Sequence, residues 1–374
     1  MAKQSSDLMF RLYSMHNYEQ DITGMNDLFQ RCRSTDYESV MMGDSNKLPI
    51  LFHCESIDHL HCMKQYPESY CGTLVNTKDG RVVAFTAGHI KFVYFGSSLM
   101  TVIFIRLVRV DPTQRRQNLL INLTKQGNKT GVENIPDYTI GYTTDTNVPS
   151  LNMQQRLFGS LSNPVSRFSH FILSTTPTSK AIKLHKLSFE ETERLWMVDM
   201  IDWVQRPSLS DLHRIMHMDE YIGIFAVGDF SSQQYAAAMI WKPLTTILCD
   251  DRSGTKNEYR GRFHLALNFF QSSNSIPSVA VQEREHLISA LINAASNDEI
   301  PFLICDIEES SLFTSLVRQK ALAVSTESIS RVPWSERVTD MADRFANSPI
   351  WLDPRDLSNL LYFKPLSEKL QSQL

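Results

Sequence analysis

The stretch Leu107-Val108-Arg109-Val110-Asp111-Pro112-Thr113-Gln114-Arg115-Arg116-Gln117-Asn118-Leu119-Leu120 joins an apolar strand, a polar turn and two adjacent arginines to a helical pattern. A strand that feeds a helix through a tight turn leaves backbone N–H groups unsatisfied at the helix start. Those donors, the positive end of the helix dipole and the guanidinium charge of Arg115 and Arg116 suit a phosphate group. The plainer reading is a solvated helix face that carries two arginines.

Two further side chains have acid–base chemistry near this segment. His89 lies on the strand before it and can act as a base near neutral pH, or can face solvent without a role. Tyr142 ends the strand after it and can donate a proton to a leaving group, or can pack its ring at the sheet edge. Asp145 is another possible base, in a position that also suits a turn. His53, Cys54, His59, His61 and Cys62 are ligand types that zinc takes. All lie in one short segment with no second pair of ligands elsewhere, so no metal is expected. Asp306, Glu308 and Glu309, and the pair Asp250 and Asp251, follow β-rich runs. They read as hydrated loop ends, or as a site for an ammonium group or a cation.

The elements that must position these residues run in a similar order in each half of the chain. The first half predicts a helix over Gly24 to Cys32 and strands over Cys71 to Thr77 and Arg81 to Phe95, joined at Asp79-Gly80. A strand from Thr101 to Val110, a helix from Arg115 to about Gln126, a strand from Asp137 to Tyr142 and a helix from Pro149 to Phe158 follow. The second half predicts a strand at Ala181 to Leu184, a helix capped by Ser188 with Glu191 completing a capping box, and a helix opened by Ser210-Asp211. Tyr221 to Val227 and Tyr235 to Trp241 read as an antiparallel pair. An amphipathic helix spans Val281 to Ala295, with Leu287, Leu291 and Ala295 on one face. Strand Phe302 to Ile307, helix Ser311 to Lys320 and strands at Ser328 to Val332 and Leu360 to Phe363 close the pattern. Trp196, Trp203, Trp241 and Phe269 read as core. The expected fold is α+β: two tandem units, each a mixed, mostly antiparallel twisted sheet flanked by helices. Residues 1–173 form the first, 174–180 a linker and 181–374 the second.

Composition narrows the function classes. The chain has 374 residues, 37 Lys+Arg against 41 Asp+Glu and a net charge of -4. That balance argues against a general nucleic-acid binder, which needs a dominant basic field. Six cysteines without a C-x-x-C pair are too sparse for a disulfide scaffold. The N-terminal residues lack the apolar core of a signal peptide, and Arg106, Arg109 and a Gly-Ser-Ser break interrupt the most apolar stretch. A cytoplasmic or nuclear protein without a membrane partner is expected. Only 14 glycines occur, roughly half the usual share.

The segment from Leu107 to Leu120 resembles the acetyl-CoA-binding motif of the GCN5-related N-acetyltransferases, R/Q-x-x-G-x-G/A after a strand. It is most similar to the plant HOOKLESS-type N-acetyltransferases, whose loop ends R-R-Q-G-I-G. Ala87-Gly88-His89-Ile90-Lys91, the run of Asn147, Ser150 and Asn152, and Ser348 to Asp356 with its D-P-R are similar to other islands of that family, in the same order. The resemblance implies an N-acetyltransferase that takes acetyl-CoA as co-substrate and an amine as acceptor. It implies that Leu107, Val108, Arg109 and Val110 hold the pantetheine arm and acetyl carbonyl through their backbone. Arg115, Arg116, Gln117, Asn118, Leu119 and Leu120 would form the diphosphate loop, and Asn147 would contact the cofactor arm. Asn118 and Leu120 replace the two glycines of the pattern, where the backbone approaches phosphate without a Cβ between. Met153, Gln154 and Gln155 occupy the stretch in which many relatives carry an acidic tyrosine. The second half has no such loop and is expected to be a degenerate copy that shapes the acceptor side. The alternative function is a catalytically impaired regulator, or an acyl-CoA-binding protein that acts through protein partners.

Overall fold

The computed structural model describes residues 7–14, 21–42, 50–54, 63–129, 136–144, 147–158, 164–177, 182–243, 246–250, 256–260, 263–333, 348–356 and 361–365. In the first half the strands are β1 (Leu8–Ser14), β2 (Ile50–Cys54), β3 (Glu68–Asn76), β4 (Val82–Phe95), β5 (Ser98–Val110), β6 (Tyr138–Thr144) and β7 (Pro164–Ser174). The helices are α1 (Ile22–Met42), α2 (Leu119–Lys129) and α3 (Val148–Phe158). β1, β3, β4 and β5 pair antiparallel in that order, and β6 lies parallel to β5. Helix α1 buries Met25, Leu28 and Phe29 against Val82, Phe85, Ala87 and Leu107. Helix α2 buries Leu119 and Leu123 in a separate cluster with Leu74, Val83 and Ala84. Each fully buried aliphatic or aromatic side chain stabilises by about 1.5–3 kcal/mol, so these clusters fix both helices on the strands that carry the site.

The second half contains β8 (His185–Lys186), β9 (Val204–Pro207), β10 (Tyr221–Asp229), β11 (Gln234–Trp241), β12 (Thr246–Asp250), β13 (Lys256–Arg260), β14 (Phe263–Gln271), β15 (Phe302–Glu308), β16 (Ala321–Pro333) and β17 (Leu361–Pro365). Its helices are α4 (Phe189–Arg194), α5 (Leu209–Met216), α6 (Pro277–Asn297) and α7 (Thr314–Lys320). β8, β10, β11 and β14 pair antiparallel, and β15 lies parallel to β14. The pairing pattern of the first half thus occurs a second time. Among the described strand pairs only β5–β6 and β14–β15 are parallel, which makes the sheet mixed and mostly antiparallel. A smaller antiparallel ladder, β13–β12–β2–β17, joins strands of both halves.

The halves meet by exchanging a strand. β7 pairs with β15 on one side and β16 on the other, while β16 pairs with β6. The antiparallel partner of β6 therefore comes from the C-terminal half, and that of β15 from the N-terminal half. Ser330 stands opposite Gly141, and Phe171 opposite Cys305, which puts the facing pair Phe168 and Glu327 on an approximate two-fold axis.

Several expected elements hold closely. Ser188 and Glu191 form the capping box, β10 and β11 pair antiparallel, and Leu287, Leu291 and Ala295 of α6 are buried. Others shift. Helix α2 begins at Leu119, not Arg115, because Asp111 caps a short 3-10 turn at Pro112–Gln114 and two left-handed residues follow. Ser208, not Ser210, caps α5. Helix α7 starts at Thr314, a short strand lies at His185–Lys186, and Ile182 to Leu184 of the expected strand are not strand, Ala181 lying outside the described residues. Strands β1 and β7 lay outside the expected elements altogether, and Leu173 and Ser174 of the seam belong to β7.

Candidate functional site: a splayed strand pair at a helix N-terminus

Pairing between β5 and β6 runs from Val102 opposite Tyr138 to Ile105 opposite Gly141, and stops there. Both strands continue, to Val110 and Thr144. At this point β5 carries a bulge: Phe85 pairs with Arg109 but Ala87 with Arg106, so one extra residue sits on β5. Leu107 adopts φ 56° within it. A left-handed leucine costs about 1–2 kcal/mol, and burying its side chain in the α1 cluster returns about 1.5–3 kcal/mol, so burial wins. Beyond the bulge, the edge of Leu107 to Val110 no longer meets β6. Arg109 donates from Nη1 to Val108 O at 2.9 Å and lies over the Phe29 ring.

The turn after β5 is built by Asp111. Its Oδ1 accepts from Thr113 N at 2.9 Å and Thr113 Oγ1 at 2.6 Å, and its Oδ2 from Arg31 Nε at 3.1 Å. Burial alone would push this carboxyl up; the Thr113 bonds and Arg31 overcome it and hold the group below the usual range. Arg115, Arg116, Gln117 and Asn118 are all exposed, with φ 70° at Arg116 and 58° at Asn118. Asn118 takes a left-handed conformation at a position where the motif carries glycine, and asparagine tolerates that region better than most residues. Leu120 lies inside α2, half-buried against the cluster of Leu74, Val83 and Ala84. The strand, the loop with its two left-handed residues and the helix start thus follow one another without a glycine.

Asn147 is exposed and caps α3, its Oδ1 accepting from Ser150 N at 3.2 Å. Tyr142 is half-buried and meets the Phe104 ring edge-on, centroids 5.3 Å apart. His89 does not face solvent. It is fully buried, stacked on Tyr66 at 4.1 Å, with Nδ1 2.6 Å from Ser69 Oγ. Ser69 Oγ spends its hydrogen on Met63 O at 3.0 Å, so His89 Nδ1–H donates to it and the lone pair falls on Nε2. Nε2 has no hydrogen-bond partner among the described residues. Burial, then the positive charges of Arg106, Lys91 and Arg355, hold the imidazole well below its ordinary pKa, in its neutral form.

The charges around His89 form a buried network built from two of the islands quoted above, Ala87 to Lys91 and the D-P-R segment, whose pairing with each other the sequence did not show. Lys91 pairs with Asp353 at 3.0 Å and with Asp356, its ammonium over the Phe104 and Tyr66 rings. Arg355 forks onto Asp211 at 2.8 and 2.6 Å and onto Asp353 at 2.8 and 2.6 Å. Tyr66 donates to Asp356 at 2.9 Å. Burial is the main cause that lifts Asp356 to about 6. The D-P-R island is thus an ion-paired strap across the sheet face that carries His89.

The second half repeats the splay. β14 and β15 pair from Phe263 opposite Phe302 to Ala266 opposite Cys305, and Asn268 has φ 54° in an equivalent bulge. Its continuation differs. Residues 272–276 contain no arginine, and α6 starts at Pro277, which removes one amide donor from the first turn. Asp306 is a correction to the sequence expectation of a hydrated loop end: it is buried, with Oδ1 2.5 Å from His170 Nδ1. His170 Nε2 lies 3.1 Å from Glu327 Oε2. Glu308 accepts from Ser166 Oγ at 2.6 Å. His53 and Cys54 lie on β2, Asp250 ends β12, and His59, His61, Cys62, Asp145 and Asp251 lie outside the described residues. No group of three or more potential metal ligands occurs among the described residues.

No protein-family model matches the chain, and no curated protein does. Solved structures do. N-myristoyltransferase of Saccharomyces cerevisiae with bound myristoyl-CoA is similar at TM-score 0.53 and 11% identity, over 87% of this chain and 83% of that one. A GCN5-related N-acetyltransferase from Sphaerobacter thermophilus matches at TM-score 0.53 and 10% identity, over 87% and 95%. The glucosamine N-acetyltransferase region of a fungal multi-domain β-N-acetylglucosaminidase matches at TM-score 0.60 and 10% identity, over 87% of this chain and 38% of that one. With its parallel strands parting beside a bulge, the chain carries the fold of the GCN5-related N-acetyltransferases.

Proposed function

We propose that the chain is an N-acetyltransferase of tandem GCN5-related design, akin to the plant HOOKLESS type, whose first half binds acetyl-CoA and whose second half is a degenerate copy. One observation carries this reading: β5 and β6 part at Ile105 and Gly141 directly before a loop with two left-handed residues at a helix N-terminus. The edge of Leu107 to Val110, which β6 no longer covers, suits the pantetheine arm and the acyl carbonyl. The amides and guanidinium groups of Arg115 to Leu120 suit the diphosphate, with Asn147 beside the arm. Acetyl-CoA supplies the activated acyl thioester. The chain must take a proton from the acceptor ammonium and return one to the departing thiolate. His89 and Tyr142 are the base and acid that the sequence offers; the burial of His89 and the cations that depress it count against the first role. Calorimetry with acetyl-CoA tests the reading: binding should be measurable, and its absence at millimolar ligand removes the proposal. Arg116→Glu should weaken that binding strongly. Arg318→Glu, on α7 over the Phe171 ring, should leave it unchanged.

The burial of His89 favours one alternative, an acyl-CoA-binding regulator that acts through protein partners. Acetyl-CoA binding without thiol release across a broad amine panel supports it. Steady thiol release with any one amine eliminates it.

A further inference from the structure

One short segment reaches both splay points. Leu352 N donates to Asn268 Oδ1 at 2.7 Å, and Leu352 O accepts from Asn268 Nδ2 at 2.8 Å. Three residues later, Arg355 O accepts from Arg106 Nη1 at 2.7 Å. Asn268 is the left-handed residue of the β14 bulge, and Arg106 immediately precedes the left-handed Leu107 of the β5 bulge. The segment is itself held firmly. Trp351 N donates to Val204 O, and Val204 N to Pro349 O, both at 2.9 Å. Asp211 and Gln65 hold the Arg355 guanidinium, and Lys91 holds Asp353 and Asp356.

A left-handed non-glycine residue persists only where its surroundings over-determine it. At Asn268 that determination is direct, since both ends of its amide are tied to Leu352. Leu107 has no polar side chain to tie. Its side chain is fixed by burial, and the backbone before it by the anchor of Arg106 on Arg355 O. Charge-assisted bonds of this kind are stronger than neutral ones and resist bending.

We propose that the Ile350–Asp356 strap is the positioning element of the acyl-CoA cleft, acting through Arg106 on the β5 bulge. The proposal rests on the reading that the β5–β6 splay binds acetyl-CoA. Arg106 is a positioning residue here: it sets which way the edge of Leu107 to Val110 presents its amides. The bulge geometry of the first half thereby depends on a residue 249 positions further along the chain.

The test compares wild type with Arg106→Met, Arg106→Lys and Arg206→Met, measuring acetyl-CoA affinity by calorimetry and the thermal midpoint of each. Arg206 is a matched control, a buried cation whose donors go to the carbonyls of Trp196, Trp203 and Gly96. Both Arg106 variants should weaken acetyl-CoA by about tenfold or more, as small misplacements of a binding group do. Arg206→Met should lower the midpoint and leave affinity unchanged. Arg106→Lys keeps the charge and so remains informative where Arg106→Met does not fold. Wild-type affinity in the Arg106 variants overturns the positioning role while the acetyl-CoA reading stands. A wild type that does not bind acetyl-CoA removes that reading itself.

Discussion

Asn118 has φ 58° on the exposed loop before α2, a conformation that glycine takes without cost and β-branched residues resist most. Asn118→Gly should therefore keep acetyl-CoA affinity and stability at or slightly above wild type. Asn118→Val should cost about 1–3 kcal/mol of stability and weaken acetyl-CoA together with it. Equal affinity in all three proteins, measured by calorimetry, would show that the loop does not touch the ligand. The sequence supported this much because strand, turn and helix start are adjacent there, and the residue types alone mark the positions. His89 is the opposite case. Its strand pattern allowed a solvent-facing side chain, whereas it is stacked on Tyr66 from the preceding segment and feels the charge of Arg355 from near the far end of the chain.

At the scale of elements, the seam between β7, β15 and β16 is held by His170 between Asp306 and Glu327, all buried. Burial alone would lower the imidazole; the charge and hydrogen bonds of Asp306, with those of Glu327, outweigh it and lift His170 to about 10. A raised pKa in the folded state means stability that is full below the ordinary histidine value of 6.5 and is lost as pH climbs toward about 10. Burial also raises Asp306, so it too binds its proton more tightly in the folded state and adds a loss of the same sign at lower pH. Thermal unfolding between pH 6.5 and 9.5 should show wild type losing stability with pH, and His170→Gln should flatten that slope. The variant should also lose about 3–5 kcal/mol near pH 7, the cost of leaving buried charge unpaired. A slope that is unchanged in His170→Gln assigns the pH dependence elsewhere. None of this was legible beforehand. In Pro164 to Ser174, Phe168, His170 and Ile172 alternate with Ser169, Phe171 and Leu173, which is a strand signal, but the neighbouring Leu173-to-Lys180 stretch reads as a polar linker. The partners of His170 lie far along the chain on β15 and β16, and no local pattern names them.

For the whole molecule, the expectation of two units divided at residues 174–180 meets a sheet in which each half supplies the strand its partner's parallel pair lacks. Without β16, β6 would expose the edge from Tyr138 to Thr144; without β7, β15 would expose Phe302 to Glu308. Such an edge, flanked by the buried Tyr138, Ile140, Leu303 and Ile304, invites aggregation. The strap adds to this interdependence, since Arg355 and Asp356 close charges on Asp211 and Lys91 from opposite halves. The chain should therefore fold as one cooperative unit. Splitting it after Pro177 tests this without altering any described strand. Each fragment expressed alone should be insoluble or molten, while co-expressed fragments should co-purify at one-to-one stoichiometry and regain acetyl-CoA binding. An N-terminal fragment that is soluble, melts cooperatively and binds acetyl-CoA by itself would show that the exchanged strands are dispensable. In that case the two units would be independent domains, as the linker composition first suggested.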